Sequence, residues 1–361
     1  MINIIMDTLV FGLQRMGGVS VVWYQYLNRM LNDKRVDLTL LDIPGEYIND
    51  DYKKLQTDSV KHEKEYAISL QMLRNTNPQY REPDRLSIFQ STYLRTCRGK
   101  NIRNVVMIHD ITHQLYFHGI KKWLNTLQKK KSIANADGII YVSENTKKDV
   151  ETYFPSSKTI RSTVIYNDAA SEYKRIKKFT IPEIYSEIDG KDFFIYVGDR
   201  FDYKNTKLLF DILKRVTSIH CVLVGGKEFS DEEIEYFSNE KDRVHRYTRV
   251  SNVDLNILYN AAYCMIYPSH YEGFGIPVLE AMRAGCPVIA FKNSSIPEVL
   301  GGSGLLFEND DIDSVIESIE RLKDDSFREK IIEDQMTSSK RFSWDESYNK
   351  LVSFYKEILS I

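Results

Sequence analysis

Short apolar runs alternate along this chain with segments in which apolar residues recur every three or four positions. The runs are rich in β-branched and aromatic residues, which is typical of parallel strands covered on both faces, whereas the recurring segments predict amphipathic helices. The runs of the first half lie at 2–6, 36–41, 85–90, 104–108, 138–142 and 163–165. Those of the second half lie at 193–197, 220–224, 243–246, 263–267, 287–290 and 304–306. The two series predict an α/β protein with two Rossmann-like domains, each built on a parallel sheet.

A polar, charged stretch that contains Pro182 and lacks periodicity separates the two series. After it, apolar residues recur at helical spacing once more from Ser343 to the end, and Ser343 with Glu346 forms a capping-box pattern. This last helix is predicted to cross back and pack across both domains. The expected division is an N-terminal domain over 1–170, a linker over 171–191, a C-terminal domain over 192–342 and the closing helix over 343–361.

The composition is that of an ordinary globular protein, with 49 Lys and Arg against 51 Asp and Glu and a formal net charge of −2. This balance argues against a globally basic nucleic-acid-binding protein. No apolar run approaches the ~18 residues that span a bilayer, and the N-terminal run is too short for a signal-peptide core. The widely spaced cysteines indicate buried thiols in a reducing compartment. We therefore expect a cytoplasmic protein.

The most informative segment is 270–285, which follows a predicted strand. Gly273 and Gly275 suit a tight turn, and Pro277 suits the first turn of a helix. At such a junction the free backbone N–H groups and the helix dipole favour phosphate, while Glu280, one turn into the helix, can accept hydrogen bonds from ribose hydroxyls. These features predict a nucleotide site. For an isolated Gly-x-Gly, a plain strand–loop–helix junction with Glu280 in solvent would be the alternative.

The same segment resembles the E-x7-E signature of the family 4 retaining glycosyltransferases, with Glu272 and Glu280 as the two glutamates. The resemblance continues through 287–290, 294–299 and 304–307, and it does not extend to the polar segment 47–83, where we expect a loop or helices. It implies the GT-B fold, with two facing Rossmann-like domains, the acceptor on the first and the nucleotide sugar mainly on the second. The implied roles are ribose binding by Glu280, sugar positioning by Glu272, and donor binding by Gly273, Phe274, Gly275, Ile276, Pro277 and Val278.

Other segments resemble further blocks of this family. The segment 196–205 looks like the start of the family's C-terminal domain, where Arg200 and Lys204 would stabilise the departing diphosphate in place of a divalent metal. Their spacing of four most resembles bacterial mannosyltransferases of surface-polysaccharide pathways. Gly17 and Gly18 resemble the N-terminal glycine loop, and His109 resembles the histidine that meets the donor sugar. The alternative for Arg200 and Lys204 is that they are ordinary surface cations. For the two glycines it is an ordinary turn, and for His109 it is a structural role.

Two patterns are interpreted as helix caps. Ser295 and Glu298 form a capping-box pattern, and the acidic cluster Asp310, Asp311 and Asp313 precedes a helical pattern. Because capping and the helix dipole explain this cluster, no metal site is predicted.

Together the resemblance and the motifs imply a retaining, metal-independent hexosyltransferase with no cofactor. It would move a hexose, mannose-type before others, from a GDP- or UDP-linked donor, GDP before UDP, to a glycan or lipid-diphosphate-linked glycan in polysaccharide or O-antigen synthesis. Two alternatives stay open. A nucleotide-sugar epimerase of GT-B fold would need further acid–base carboxylates, and a silent partner subunit would carry eroded motifs.

A basic segment raises the question of a membrane contact. Residues 111–136 contain no acidic residue, and Trp123 and Leu127 are interleaved with the basic positions. A surface of this kind could rest on anionic headgroups, although a solvated helix face would look the same in sequence. The lysines concerned are Lys121, Lys122, Lys129, Lys130 and Lys131.

Overall fold

A computed structural model of the chain describes residues 1–65, 69–78, 80–308 and 311–360. It divides into two compact units, Met1–Asn167 with Ser343–Ile361 and Asp168–Phe342. The strands are β1 (Ile2–Asp7), β2 (Val36–Asp42), β3 (Lys61–Lys64), β4 (Ser87–Gln90), β5 (Ile102–Ile108), β6 (Gly138–Tyr141), β7 (Ser162–Val164), β8 (Phe193–Val197), β9 (His220–Val224), β10 (Val244–Tyr247), β11 (Cys264–Tyr267), β12 (Val288–Phe291) and β13 (Leu305–Phe307).

Helices connect these strands throughout both units. They are α1 (Leu9–Leu13), α2 (Gly18–Leu31), α3 (Leu70–Asn75), α4 (Thr112–Tyr116), α5 (Gly119–Ala134), α6 (Glu144–Tyr153), α7 (Lys207–Arg215), α8 (Asp231–Tyr236), α9 (Asn252–Ala261), α10 (Ile276–Ala284), α11 (Ile296–Leu300), α12 (Ile312–Arg321), α13 (Asp325–Ser339) and α14 (Trp344–Leu359). Short 3₁₀ helices lie at Tyr52–Lys54, Pro155–Thr159, Glu183–Ile188, Asp202–Lys204 and Ser238–Arg243.

Each unit is built on one parallel sheet, as the sequence predicts. The strand order is β3-β2-β1-β4-β5-β6-β7 in the first unit and β10-β9-β8-β11-β12-β13 in the second. In both sheets the chain reverses its direction of winding beside the first strand, between β1 and β4 and between β8 and β11. Ligands of open α/β sheets bind at the carboxyl ends of the strands at such a switch point. The loops after β1, β5, β8 and β11 carry predicted site residues.

The strand β3 is absent from the sequence prediction. Its residues, Lys-His-Glu-Lys, are polar and mostly exposed, because β3 pairs only with β2 at the edge of the sheet. An edge strand of this composition carries no apolar signal, and its charges oppose pairing with another chain. The segment 47–83 thus contains a strand, a 3₁₀ turn and α3, while residues 66–68 and 79 lie outside the described part of the chain.

The stretch 171–191, for which the sequence predicts a linker, is grouped with the second unit. Its side chains Tyr173, Tyr185 and Ile188 are buried. The backbone N–H of Lys174 donates to Asn256 Oδ1 at 2.9 Å. Burial and hydrogen bonding therefore make this stretch part of a packed domain.

The closing helix α14 is grouped with the first unit. Ser343 caps it by accepting a hydrogen bond from the Glu346 N–H at 3.3 Å, as the sequence predicts. The Trp344 ring meets Tyr26 of α2 edge-on at 5.6 Å, and the Tyr355 hydroxyl contacts Gln90 Oε1 of β4 at 2.8 Å. These contacts show that α14 completes the core of the first unit.

The structure confirms the prediction of buried cysteine thiols but not the whole of the predicted basic surface. Cys97, Cys221, Cys264 and Cys286 are all free and buried. Within the described ranges, no helix combines the length and the apolar character that crossing a bilayer requires. On α5, Lys121, Lys130 and Lys131 are exposed, but Lys129 is only 4% exposed. Lys129 therefore does not belong to a membrane-facing surface, and the prediction that included it is wrong.

Candidate active site

The loop after β11 carries the E-x7-E segment and is held in place by hydrogen bonds on two sides. The His270 N–H donates to the Tyr203 carbonyl at 2.8 Å, and the Glu272 N–H donates to Ser294 Oγ at 2.8 Å. The Ser295 hydroxyl donates to the carbonyls of Glu272 and Phe274 at 3.0 and 2.9 Å. Ser295 makes no side-chain cap on α11, so the predicted capping box with Glu298 is wrong and the serine fixes the motif loop instead.

Lys204 and Glu272 are brought together at the switch point. The Lys204 ammonium lies 2.5 Å from Glu272 Oε1, and each side chain is only 12% exposed. The ammonium also lies 5.2 Å from the Tyr203 ring centroid and 5.9 Å from that of Tyr267. An ion pair removed from water costs desolvation energy on both sides, so its retention here indicates a functional position more than a stabilising one.

Arg200, like Lys204, lies in the segment after β8, but it binds Glu233 and not Glu272. Its Nε donates to Glu233 Oε1 at 2.7 Å, and its Nη2 donates to the carbonyls of Lys227 and Glu228 at 2.7 and 3.0 Å. Its Nη1 is buried and has no hydrogen-bond partner among the described residues. Gly226 makes room for it, since a Cβ there would lie 2.6 Å from Nη1. An unmet guanidinium donor of this kind favours a negatively charged ligand beside Arg200.

At the glycine turn before α10, fewer backbone N–H groups are free to bind phosphate than the sequence suggests. Gly275 has φ of +99°, and a Cβ there would lie 2.7 Å from Ile296 Cδ1, so the position favours glycine. Pro277 has no N–H, and the Val278 N–H already donates to the Gly275 carbonyl at 3.0 Å. The amides of Gly275 and Ile276 therefore remain as the phosphate donors that 275–278 can offer.

Glu280 lies partly buried on α10, one turn beyond the glycine turn. Its Oε2 accepts a hydrogen bond from the Tyr259 hydroxyl at 3.1 Å, and the Tyr173 hydroxyl is a second partner. Burial raises the pKa of Glu280 to about 7, although both tyrosines act to lower it. Hydroxyl donors already satisfy this carboxylate in part, which is the chemistry expected of a ribose-binding group.

His109, Gly17 and Gly18 belong to the first unit. Gly17 is extended and precedes α2, and a Cβ there would lie 2.9 Å from Gln14 Oε1, so that side chain would have to shift. A Cβ at Gly18 would meet nothing within 4 Å, so the fold itself does not require glycine at that position. His109 follows β5 and lines a cavity of about 330 Å³. Burial lowers the pKa of His109 to about 4, and its Nε2 is buried without a partner in the described structure. The imidazole is therefore neutral at pH 7.

Several residues at these sites lie outside the sequence prediction. They are Glu233, which pairs with Arg200, and Tyr173 and Tyr259, which bind Glu280. Ser294 and Ser295 were part of the family resemblance, but nothing in the sequence indicates that they bind the motif loop. Asp311 caps α12 through the Ser314 N–H, as expected of the acidic cluster, whose member Asp310 lies outside the described residues. Across the described ranges, no three His, Cys, Asp or Glu side chains are arranged to hold a metal ion.

The family comparison identifies the second unit. Residues 177–337 match the family described as glycosyl transferases group 1. The O-antigen chain mannosyltransferase B of Escherichia coli is 33% identical over 171 residues, which cover 45% of either chain. The O-antigen chain mannosyltransferase RfbU of Salmonella typhimurium is 30% identical over 233 residues, covering 62% of this chain and 63% of that one. The chain thus matches about half of the first relative's length and under two thirds of the second's.

Solved structures extend the likeness to both units. Sucrose-phosphate synthase of Thermosynechococcus elongatus aligns over 100% of both chains with a TM-score of 0.73 and 16% identity. HepE of Anabaena, solved in complex with UDP-glucose, aligns over 99% of this chain and 100% of that one with a TM-score of 0.73 and 15% identity. At such identities the likeness establishes the fold, which confirms the GT-B prediction. Residues 177–337 thus match the glycosyl transferases group 1 family, and the whole chain has the GT-B fold.

Proposed function

We propose that this protein is a retaining glycosyltransferase that moves a hexose, mannose-type before others, from a nucleotide diphosphate sugar to a glycan or lipid-linked glycan in polysaccharide synthesis. The observation that carries the proposal is the set of groups at the β8–β11 switch point. A largely buried Lys204–Glu272 pair and an unmet Arg200 donor lie on the loops after β8 and β11, and the hydroxyl-binding carboxylate Glu280 lies on α10, which follows the second of these loops. The relatives with O-antigen mannosyltransferase names support the sugar and the pathway.

The proposed mechanism assigns each group to one part of the donor. Glu280 accepts hydrogen bonds from the ribose hydroxyls, and the Gly275 and Ile276 amides bind phosphate at the start of α10. Arg200 and Lys204 neutralise the charge that develops on the departing diphosphate as the glycosidic bond breaks. Glu272, held beside the diphosphate by its ion pair with Lys204, positions the sugar. The acceptor oxygen bonds to the anomeric carbon from the face that the nucleotide leaves, and the hydroxyl proton passes to the departing diphosphate oxygen as its bond to that carbon breaks. Attack from this face retains the anomeric configuration.

Nucleotide binding and product analysis test this proposal. GDP, UDP and ADP are compared by calorimetry, and we expect GDP to bind most tightly, followed by UDP. GDP-mannose is then incubated with a mannosyl acceptor, and the anomeric configuration of the product is read by NMR. Turnover is expected to survive EDTA, because the two cations take the place of a metal. Failure of all three nucleotides to bind would overturn the proposal, and formation of an epimer from donor alone would replace it with an isomerase.

Nucleotide affinity is expected to depend on pH through Glu280. The pKa of this carboxyl is about 7, so it is protonated below pH 7 and offers two full acceptor oxygens only above it. Affinity for GDP should therefore rise between pH 6 and pH 8, by up to about tenfold per pH unit below the pKa. Glu280→Gln should remove this part of the profile and leave only the titration of the ligand's own phosphate. A wild-type profile identical to that of Glu280→Gln would contradict the ribose assignment.

We also propose that the enzyme works at the cytoplasmic face of a membrane and rests on it through α5. Ile120 is 76% exposed and Trp123 is 63% exposed on this helix, beside the exposed Lys121 and Lys130. Apolar side chains that enter the headgroup region and lysines that contact anionic lipids would contribute together, at about 1 kcal/mol for each lysine.

Vesicle sedimentation tests this contact. Wild-type protein should bind vesicles that contain phosphatidylglycerol and dissociate as salt is raised, because screening acts within ~8 Å at physiological ionic strength. The variant Lys121→Glu/Lys130→Glu should bind at least about tenfold more weakly. Lys330→Glu, an exposed lysine of the second unit, is the matched control and should bind as wild type. Absence of wild-type binding at low salt would remove the membrane contact from the proposal.

A further inference from the structure

The first unit contains a cavity of about 330 Å³ where the carboxyl ends of β1, β4 and β5 meet α5. This volume is at the lower end of the range for small-molecule sites, which is ~300–1,000 Å³. One wall is apolar and includes Val10, Leu13 and Leu94, while His109 and Lys129 contribute polar atoms. The cavity lies wholly within the first unit. None of its lining residues is among the proposed nucleotide-binding residues of the second unit.

Lys129 is a buried cation in this cavity, and the groups that accept hydrogen bonds from it are uncharged. Its ammonium donates to the Asp110 backbone carbonyl at 2.6 Å and to Gln114 Oε1 at 2.9 Å. A lysine ammonium has three donors, so these two bonds leave one for a further acceptor. Burial lowers the pKa of Lys129 to about 8, opposed by the nearby Asp110 carboxylate, so the ammonium is mainly charged at pH 7. Burying a charge at this cost is unusual unless a ligand or partner uses it.

Arg74 supplies a second cation on the same cavity. Its Nε donates to the Tyr93 hydroxyl at 2.8 Å, and its guanidinium lies 4.9 Å from the centroid of that ring. Tyr93 is also uncharged. Arg74 and Lys129 are thus opposed by the single carboxylate of Asp110 among the residues that line the cavity, so the lining carries a net positive charge at pH 7.

We propose that this cavity binds an anionic sugar, one that carries a phosphate or carboxylate group, as part of the acceptor. Lys129 and Arg74 would contact the anionic group, and the apolar wall would pack against the CH groups of the sugar ring. The inference rests on the proposed function, since it names the acceptor class of the same transferase. Arginine and lysine side by side suit phosphate and carboxylate oxygens, because one offers a planar pair of donors and the other a compact charge.

Calorimetry on the full chain with three probes tests the chemistry. The probes are mannose 6-phosphate, glucuronate and mannose, each added with GDP at saturation so that the nucleotide-binding residues are occupied. We expect an anionic sugar to bind at least tenfold more tightly than mannose, and the two anionic probes separate phosphate from carboxylate. Lys129→Met and Arg74→Gln should each weaken binding of the anionic probe by about tenfold to hundredfold.

Matched variants separate the site from the fold. Lys130→Met removes an exposed lysine next in the chain and should bind the probe as wild type does, whereas Lys129→Arg should recover part of the lost affinity. GDP affinity, measured on the same samples, should be unchanged in Lys129→Met, which reports that the protein is folded. Equal affinity for mannose and the anionic sugars, or an unchanged affinity in both Lys129→Met and Arg74→Gln, would overturn this inference. Failure of GDP, UDP and ADP alike to bind the wild-type protein would instead overturn the proposed function.

Discussion

Replacing Lys204 with Met is expected to lower kcat by ~10²–10³-fold, because a preorganised cation that stabilises charge only in the transition state acts on turnover. Its ammonium is largely buried against Glu272, so little water can take its place beside the diphosphate. The KM for the nucleotide sugar should change much less. The measurement is steady-state kinetics with GDP-mannose and a mannosyl acceptor, with Tm recorded on the same preparations.

A control and a double variant make this result specific. Lys292 forms an exposed ion pair with Glu308 at 2.9 Å in the same unit, so Lys292→Met removes a paired lysine without touching the proposed site and should leave kcat unchanged. Glu272→Gln should also lower kcat, and the double variant Lys204→Met/Glu272→Gln should lose much less than the product of the two single effects, because the two groups act as a unit. A fall in Tm with kcat intact would show that the pair serves only stability.

The parts of the fold that the sequence predicts correctly are those in which one local signal determines the structure. Buried parallel strands such as β8 and β11 are continuous apolar runs, and their positions were predicted within about one residue. The cap of α14 was predictable because Ser343 and the residues that follow it act within one turn. The edge strand β3 was not, since its pairing with β2 depends on the sheet already being formed and leaves no apolar pattern.

The predicted site shows the same division. Glu272 and Lys204 were both recognised from motifs, but nothing in the sequence indicates that 68 positions apart they form one ion pair. The Arg200–Glu233 pair is missed because its members are also distant in sequence. Glu233 lies in the first turn of α8, where an acidic residue is already explained by the helix N-terminus. Lys129 was misassigned because its neighbours on α5 are exposed, and a charge pattern cannot show which lysine of a run points inward.

The first unit contains a second buried charge cluster that no motif marks. Arg95 is 1% exposed, its Nη1 lies 3.5 Å from Asp7 Oδ2, and its Nη2 binds Glu65. Asp7 also accepts hydrogen bonds from Ser91 Oγ at 2.7 Å and from Thr92 Oγ1 at 2.6 Å. Asp7 is therefore satisfied on several sides, whereas Glu65 depends mainly on the arginine. Burial raises the pKa of Glu65, and Arg95 acts against this rise.

Arg95→Met is expected to destabilise the first unit by about 3–5 kcal/mol, the cost of leaving buried carboxylates without their cation. The loss should depend on pH. Without Arg95 the pKa of Glu65 rises further in the folded state, so stability is retained near pH 5, where Glu65 is protonated, and falls as pH rises towards 8. Calorimetric unfolding of wild type and variant at both pH values measures this, and Arg15→Met, which removes an exposed pair with Asp50, is the control expected to change little. Adding Glu65→Gln to Arg95→Met should remove most of the pH dependence, because the neutral amide has no proton to gain. A loss that is equal at pH 5 and pH 8 would show that the arginine contributes through packing alone.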